Sequence, residues 1–230
     1  KLAVNYHIKE HGMIIVDQAG RKILLQALQT DNGVEVLSAV VEDVEMGFGI
    51  RSEALGILFK LMDKKCIPLF KNIVAGSVKD FEHIISSAQN CLNELGEPGE
   101  TKFLLNMFNN HLLAKEAAVG LGIKNDPSAI EPLSKYLTHK EYDIRIAAAT
   151  ALSMLTYPHA IESIIAAIQE GMLFPERMMW EASNIPRNII NNPAAKIPLE
   201  NACKSSDPKI KKWSEGVLAD QKLLSRENDS

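Results

Sequence analysis

The chain has 230 residues, of which 46% are hydrophobic and only 6% aromatic, with a formal net charge of −4 and a pI near 5.9. Sequence-independent binding to nucleic acid needs an excess of Lys and Arg over the acidic residues. This composition has none, so nucleic acid is not the expected partner. The sequence also contains no run of 18 apolar residues, so no membrane-spanning segment is predicted.

Residues 1–18 show no clear periodicity and are predicted to form a poorly defined N-terminal segment. His7, Glu10 and His11 in this segment have the His-x-x-Glu-His spacing of one class of zinc peptidases. Such a site also needs a third protein ligand on a packed helix and a substrate cleft. The motif lies outside the regular part of the chain, so we predict no metal site here.

Helical periodicity begins near Ala19 and continues to residue 224. Residues 120–133 align without a gap on residues 151–164, and both copies read as a helix rich in small residues, a turn with Pro and a second helix. Repetition with a period of 20 to 50 residues is typical of solenoids. Aliphatic residues recur at intervals of 29 to 34 residues at Leu28, Leu58, Leu92, Leu121, Leu152, Ile185 and Leu218.

Alanines accompany these aliphatic positions and are expected to let neighbouring helices approach closely. They are Ala54, Ala88, Ala117, Ala118, Ala147, Ala148 and Ala151.

The copy at 176–203 departs most from the pattern, because Pro186 falls inside its helical periodicity. A proline there is expected to kink or end the helix. Two interpretations stay open: the irregularity marks a binding feature, or it reflects drift in a repeat near the end of the array.

The chain resembles HEAT-repeat proteins, especially the short-repeat bacterial type related to subunits of phycobilisome lyases. Residues 144–155 and 158–168 carry the resemblance, with support from 50–58 and 113–137. It implies an all-α fold, a right-handed α-solenoid of about six HEAT-like helical hairpins over residues 19–224, followed by a polar tail at 225–230. It also implies a structural ladder, in which Arg51 and Arg145 pair with acidic residues, with Asp143 and Asp126 as candidates.

The resemblance favours a non-catalytic interaction scaffold or adaptor that binds a protein or peptide and needs no cofactor. The second helices of successive repeats are expected to line a concave surface that binds the partner. The predicted partner-binding residues are Ser52, Glu53, Gln89, Lys115, Glu116, Thr150, Glu181, Asn184 and Arg187.

The alternative function is a HEAT-like enzyme or enzyme subunit, similar either to nucleic-acid glycosylases or to chromophore lyases. Trp180, Trp213, Arg187 and the lysines at 209–212 supply part of a glycosylase inventory, but both tryptophans suit helix packing. No residue carries a lyase activity over. We therefore predict that the protein is not an enzyme.

Cys66, Cys91 and Cys203 are far apart and fall in apolar patterns, which favours buried, reduced thiols. The predicted location is the cytoplasm. Because the chain begins at Lys1 without Met, the cytoplasmic domain of a membrane-tethered protein is the alternative.

Overall fold

The computed structural model of the chain describes residues 18–175 and 184–228. Thirteen α-helices and four short 3-10 turns fill these ranges, which contain no strand, so the fold is all-α. The helices are α1 (Gln18–Gln29), α2 (Gly33–Glu42), α3 (Phe48–Leu61), α4 (Ile67–Val74), α5 (Ile85–Glu94), α6 (Thr101–Met107), α7 (Ala114–Lys124), α8 (Ile130–Tyr136), α9 (Tyr142–Met154), α10 (Pro158–Gln169), α11 (Ile185–Asn191), α12 (Lys196–Ala202) and α13 (Pro208–Asn228).

The recurring aliphatic residues mark every odd-numbered helix. Leu28 lies in α1, Leu58 in α3, Leu121 in α7 and Leu152 in α9, and all four are buried. We call the odd-numbered helices first helices and the even-numbered helices second helices, following the order predicted for residues 120–133 and 151–164. The all-helical fold is as predicted; the handedness and the number of repeats stay predictions.

Helix contacts divide the chain into two compact units, 1–97 and 98–230. In unit 1, α1 contacts α2 and α3, α2 packs on α3, and α4 packs on α5. In unit 2, the first helices α7, α9, α11 and α13 pack side by side in this order, and the second helices α8, α10 and α12 do the same. The predicted single array over 19–224 stays a prediction.

The alanines act as predicted, because Ala54, Ala88, Ala117, Ala118 and Ala148 are fully buried. Helices α7 and α9 approach closely at Gly122 of α7. A Cβ atom at this position would lie 2.5 to 2.6 Å from side-chain atoms of Met154 on α9. Small residues thus set the distance between successive first helices.

Amide side chains at the ends of first helices connect the hairpins of unit 2. Asn125 adopts a left-handed conformation after α7, its Nδ2 donates to Thr156 Oγ1 at 2.8 Å, and its Oδ1 accepts from Thr156 N at 2.9 Å. Asn192, after α11, donates to the carbonyl oxygens of Ser153 and Leu155 at 3.1 and 2.8 Å. Gln221 of α13 donates to the carbonyl oxygens of Ile189 and Asn192. Asn192 and Gln221 thus satisfy carbonyl groups near the ends of α9 and α11, whereas Asn125 bonds the hydroxyl and the backbone N–H of Thr156.

The ladder predicted for Arg51 needs a correction of its partner. Arg51 is only 1% exposed, and its Nη1 lies 2.8 Å from Asp80 Oδ2. It also donates to the carbonyl oxygens of Val41 and Lys79, and its guanidinium lies 5.2 Å from the Phe81 ring centroid. The scaffold role of Arg51 is as expected, but the acidic partner is Asp80.

The predicted ladder around Arg145 is wrong in its acidic partners. Arg145 donates to the carbonyl oxygens of Met172, His139 and Lys140, and its guanidinium lies over the Tyr142 ring. Asp126 instead accepts from Thr101 Oγ1 and caps the turn at Ser128, and the bond from Thr101 lowers the pKa of its carboxyl group. Asp143 lies in the first turn of α9. These carbonyl oxygens come from the loop before α9 and from the loop after α10.

Two boundary predictions concern Pro186 and the C-terminal tail. The residues before Asn184, where a helix is predicted to kink or end, lie outside the described residues. Pro186 lies in the first turn of α11, where a missing backbone donor costs nothing because that donor has no intrahelical acceptor. Helix α13 ends at Asn228, so the last helix extends four residues into the predicted tail.

Candidate functional site

A concave surface in unit 2 is a groove between the first helices α7 and α9. It encloses a cavity of about 310 Å³. We call it the α7–α9 groove. Its lining residues are His111, Ala114, Lys115, Ala118, Val119, Asp143, Ile146, Ala147, Thr150 and Asn184.

The spacing of these residues explains the groove. On α9, Asp143, Ile146, Ala147 and Thr150 follow the three- and four-residue spacing of one helix face. The lining residues of α7, from Ala114 to Val119, follow the same spacing over about one and a half turns, and those of α9 over about two. Two turns of helix span about 11 Å, the length of about three residues of extended peptide.

The floor of the groove is apolar and its rim is polar. Ala114, Ala118 and Ala147 are buried, and Val119 and Ile146 are half-buried at the edge of the floor. The short alanine side chains leave the space that a longer side chain from a partner can fill.

Charges of both signs lie on the rim. His111 and Lys115 are exposed on the α7 side, and Asp143 is exposed at the start of α9. Thr150 is half-buried, and its hydroxyl donates to the carbonyl oxygen of Ile146 at 2.9 Å. Asn184, which precedes α11, is exposed at one end. A ligand with an apolar centre and charged flanks suits this arrangement.

Three of the predicted partner-binding residues, Lys115, Thr150 and Asn184, come together in this groove. Glu116 is half-buried on α7, and Arg187 is exposed on α11; neither lines the cavity. Ser52 and Glu53 are half-buried on α3 of unit 1. Glu181 lies outside the described residues.

Gln89 has to be removed from the predicted binding residues. Its side chain is fully buried, and its Nε2 donates to Asn93 Oδ1 at 3.0 Å within α5. The four-residue spacing directs both amides to the same buried face. A partner cannot reach Gln89 in this structure.

The assignment of the binding strip to second helices stays a prediction. Seven of the named residues lie on first helices, and Asn184 immediately precedes one; the seven are Ser52, Glu53, Gln89, Lys115, Glu116, Thr150 and Arg187. The second helices α10 and α12 form a separate, shallower cavity of about 330 Å³. Its lining includes Glu162, Gln169 and Lys204, none of which was predicted.

Several groove residues were missed because their sequence signal resembles that of the core. Ala114 and Ala147 have the same spacing as alanines that only pack helices together. Asp143 was predicted as a ladder residue, and His111 was not among the predicted binding residues.

The thiols behave largely as predicted. Cys66 and Cys91 are free and buried, and Cys203 is free and half-buried. Burial raises the pKa of both Cys66 and Cys91 to about 11, so neither thiol is activated as a nucleophile.

The metal-site and membrane predictions can be compared with the structure only within the described residues. In residues 18–175 and 184–228, no group of three or more His, Cys, Asp or Glu side chains could hold a metal ion. His7, Glu10 and His11 lie outside the described residues. Within the described part of the chain, no helix combines the length and apolar character required to cross a bilayer.

A comparison with known protein families matches the repeated helices in the middle of the chain. A family model described as HEAT repeats matches residues 109–172, which include α7, α8, α9 and α10. This segment is therefore similar to HEAT repeats. HEAT repeats generally mediate protein interactions, and the matched segment carries all of the groove lining except Asn184. No curated protein matches the chain.

Proposed function

We propose that this HEAT-repeat protein is a non-catalytic scaffold or adaptor that binds a segment of a protein partner in the α7–α9 groove. The observation that supports the proposal is the apolar floor of the groove beneath a rim with charges of both signs. A polyanion would meet Asp143 unfavourably, whereas a peptide can place an acidic residue near Lys115 and a basic residue near Asp143.

The size of the groove limits the binding affinity that it can contribute. A cavity of about 310 Å³ lies at the small end of the range for ligand pockets, which run from about 300 to 1,000 Å³. It suits one aliphatic or aromatic side chain better than a large prosthetic group. Burying such a side chain contributes about 1.5 to 3 kcal/mol, which corresponds to about a 10- to 150-fold gain in affinity.

Stable protein interfaces bury about 800 Å² on each partner, so one groove is an anchor within a larger contact. Repeat proteins supply such extended contacts along successive helices. The exposed positions around the groove, including Arg187 on α11, are therefore proposed to belong to the same contact. The protein partner is proposed to be cytoplasmic.

The test compares two tryptophan substitutions on α7. Val119→Trp fills the groove from its edge, whereas Ile123→Trp adds the same bulk one turn further along, at a 42% exposed position outside the cavity. Each variant and the wild type serve as bait in a lysate of the source cells, washed at low and high salt. Bound proteins are then quantified by mass spectrometry.

We expect one or more proteins that survive high salt on the wild type and on the Ile123→Trp variant to be lost from the Val119→Trp variant. Helix content by circular dichroism checks folding. Because Val119 is half-buried, Lys115→Glu at an exposed rim position is the second variant and is expected to weaken the same capture. Equal capture by all baits, or recovery mainly of nucleic acid that high salt removes, would contradict the proposal.

A further inference from the structure

The loop between α2 and α3 exposes apolar side chains where most loops of the chain expose polar ones. Val44 is 55% exposed and Phe48 is 47% exposed, and Met46 between them is half-buried. These residues lie in unit 1 and do not contribute to the α7–α9 groove. Exposed apolar side chains that cluster on a soluble surface commonly mark an interaction site.

The backbone under these side chains is held in place. Asp43 Oδ1 accepts from Glu45 N at 3.0 Å, and Met46 N donates to the carbonyl oxygen of Asp43 at 3.1 Å. Phe48 stacks on the buried Phe81 with ring centroids 5.6 Å apart. Phe48 is thus presented by a fixed turn and a packed aromatic neighbour.

Arg51 attaches the second segment of this surface to the first. It bonds the carbonyl oxygens of Val41 and Lys79 and the carboxylate of Asp80, so the loop at 79–83 lies beside the start of α3. Phe81, also under the Arg51 guanidinium, completes the connection. The cation that holds the two segments is itself buried, at 1% exposure, and does not face solvent.

The charges that do face solvent around the two apolar side chains are mostly negative. We call this surface the Phe48 patch and define it as Val44 and Phe48 with the exposed acidic residues Asp43, Glu45, Asp80 and Glu82. The exposed Lys79 is the cation adjacent in sequence to these residues. Such a field repels nucleic acid and anionic lipid and attracts cations.

We propose that the Phe48 patch is a second docking surface, specific for a basic segment of a protein partner in which Arg or Lys flanks an apolar side chain. An apolar side chain of the partner packs on Val44, and a guanidinium or ammonium group lies over the exposed part of the Phe48 ring. The surrounding carboxylates complement the positive flanks and increase the association rate. This surface acts independently of the α7–α9 groove.

The test begins with a random 12-residue peptide library displayed on phage and selected on the immobilised full chain at about 50 mM salt. The same library is selected on two variants. Asp43→Asn with Glu45→Gln removes two charges of the patch, and Glu170→Gln with Glu200→Gln removes two exposed charges of unit 2. The asparagine that replaces Asp43 retains a side-chain oxygen that can cap the turn.

We expect the wild type and the unit 2 variant to enrich peptides that combine Arg or Lys with an aromatic or aliphatic residue, and the patch variant to lose them. A synthesised peptide from the enriched set, titrated by fluorescence polarisation, should bind the patch variant about five-fold more weakly. Its affinity for the wild type should fall further at 500 mM salt.

A second pair of variants tests the apolar part. Val44→Ser is expected to weaken the same peptide about three-fold, whereas Ile197→Ser, at a 64% exposed position in α12, should leave it unchanged. Selection that yields no enriched peptide, peptides without excess positive charge, or equal binding by the two charge variants would overturn the proposal. Val119→Trp should not affect this peptide, so failure here is distinct from failure of the groove.

Discussion

Unit 1 and unit 2 each contain an arginine near the start of a first helix that binds carbonyl oxygens of neighbouring segments, but the two sites differ in chemistry. In unit 1 the buried Arg51 joins the end of α2 to the loop at 79–80 through two carbonyl oxygens and the Asp80 carboxylate. In unit 2 Arg145 is half-buried and binds carbonyl oxygens. In unit 2 the amides of Asn125 and Asn192 connect the ends of first helices. The repeat pattern therefore specifies the helices and their core, whereas the connections between hairpins are local solutions.

The strongest test of this difference is Arg51→Ala, which should cost about 3 kcal/mol of unfolding free energy. It removes the ion pair to Asp80 and leaves the carbonyl oxygens of Val41 and Lys79 without their donor. Arg145→Ala, at a half-buried site in unit 2, should cost about half as much. Urea denaturation monitored by circular dichroism compares the two, and equal losses would remove the proposed distinction.

In unit 2 the corresponding test is Asn192→Ala, with an expected loss of about 2 kcal/mol. The side chain is 5% exposed and supplies two donors to carbonyl groups after α9, and its Oδ1 accepts from Ala194 N. Asn191→Ala is the matched control, because Asn191 is exposed and donates only within its own helix. A loss below about 0.5 kcal/mol for Asn192→Ala would show that the amide connection is dispensable.

Helix spacing can be compared through one glycine in each unit. Gly122→Ala places a Cβ atom within 2.6 Å of Met154 atoms and should cost about 1.5 kcal/mol, because α7 and α9 must separate or Met154 must change rotamer. Gly56→Ala in α3 meets no atom within 4 Å and should be neutral or stabilising by up to about 1 kcal/mol. Thermal denaturation of both variants measures the difference, which would vanish if close approach did not set the spacing in unit 2.

The smallest expected effect is kinetic and uses the thiols as reporters. With a pKa of about 11, Cys66 and Cys91 are thiolate in about one molecule per thousand at pH 8, and both are buried. Their reaction with an aromatic disulfide reagent should be slow without denaturant and should accelerate as pH rises toward 11. Both residues lie in unit 1, so their labelling in urea reports the opening of that unit, whereas half-buried Cys203 reports on unit 2. Fast labelling of all three thiols in native buffer would contradict the buried placement.

The first helices could be predicted from sequence because the residues that mark them also form the core. Leu58, Leu121 and Leu152 recur with the repeat, and burial of one face requires that recurrence. Asp80 could not be predicted as the partner of Arg51. It lies in an irregular loop with a positive φ of 73°, outside the repeated pattern.

The candidate groove was predicted only in part for a similar reason. Lys115 and Thr150 were identified because they are polar residues beside buried positions of the repeat. Ala118 was predicted as a packing residue, and its second role in the groove depends on the neighbouring Val119 and Ile146 across two helices. A single sequence contains no signal that separates a buried alanine under a groove from one under another helix.

Site-specific photo-cross-linking in the source cells tests directly whether a protein partner binds in the α7–α9 groove. A benzophenone amino acid replaces either Lys115, on the rim of the α7–α9 groove, or Gln169, in the cavity between α10 and α12. Both positions are exposed, so a collision partner can reach either of them. We expect a discrete covalent adduct with a partner protein from position 115 and none from position 169. An adduct from position 169 alone, or no adduct from position 115, would contradict this expectation.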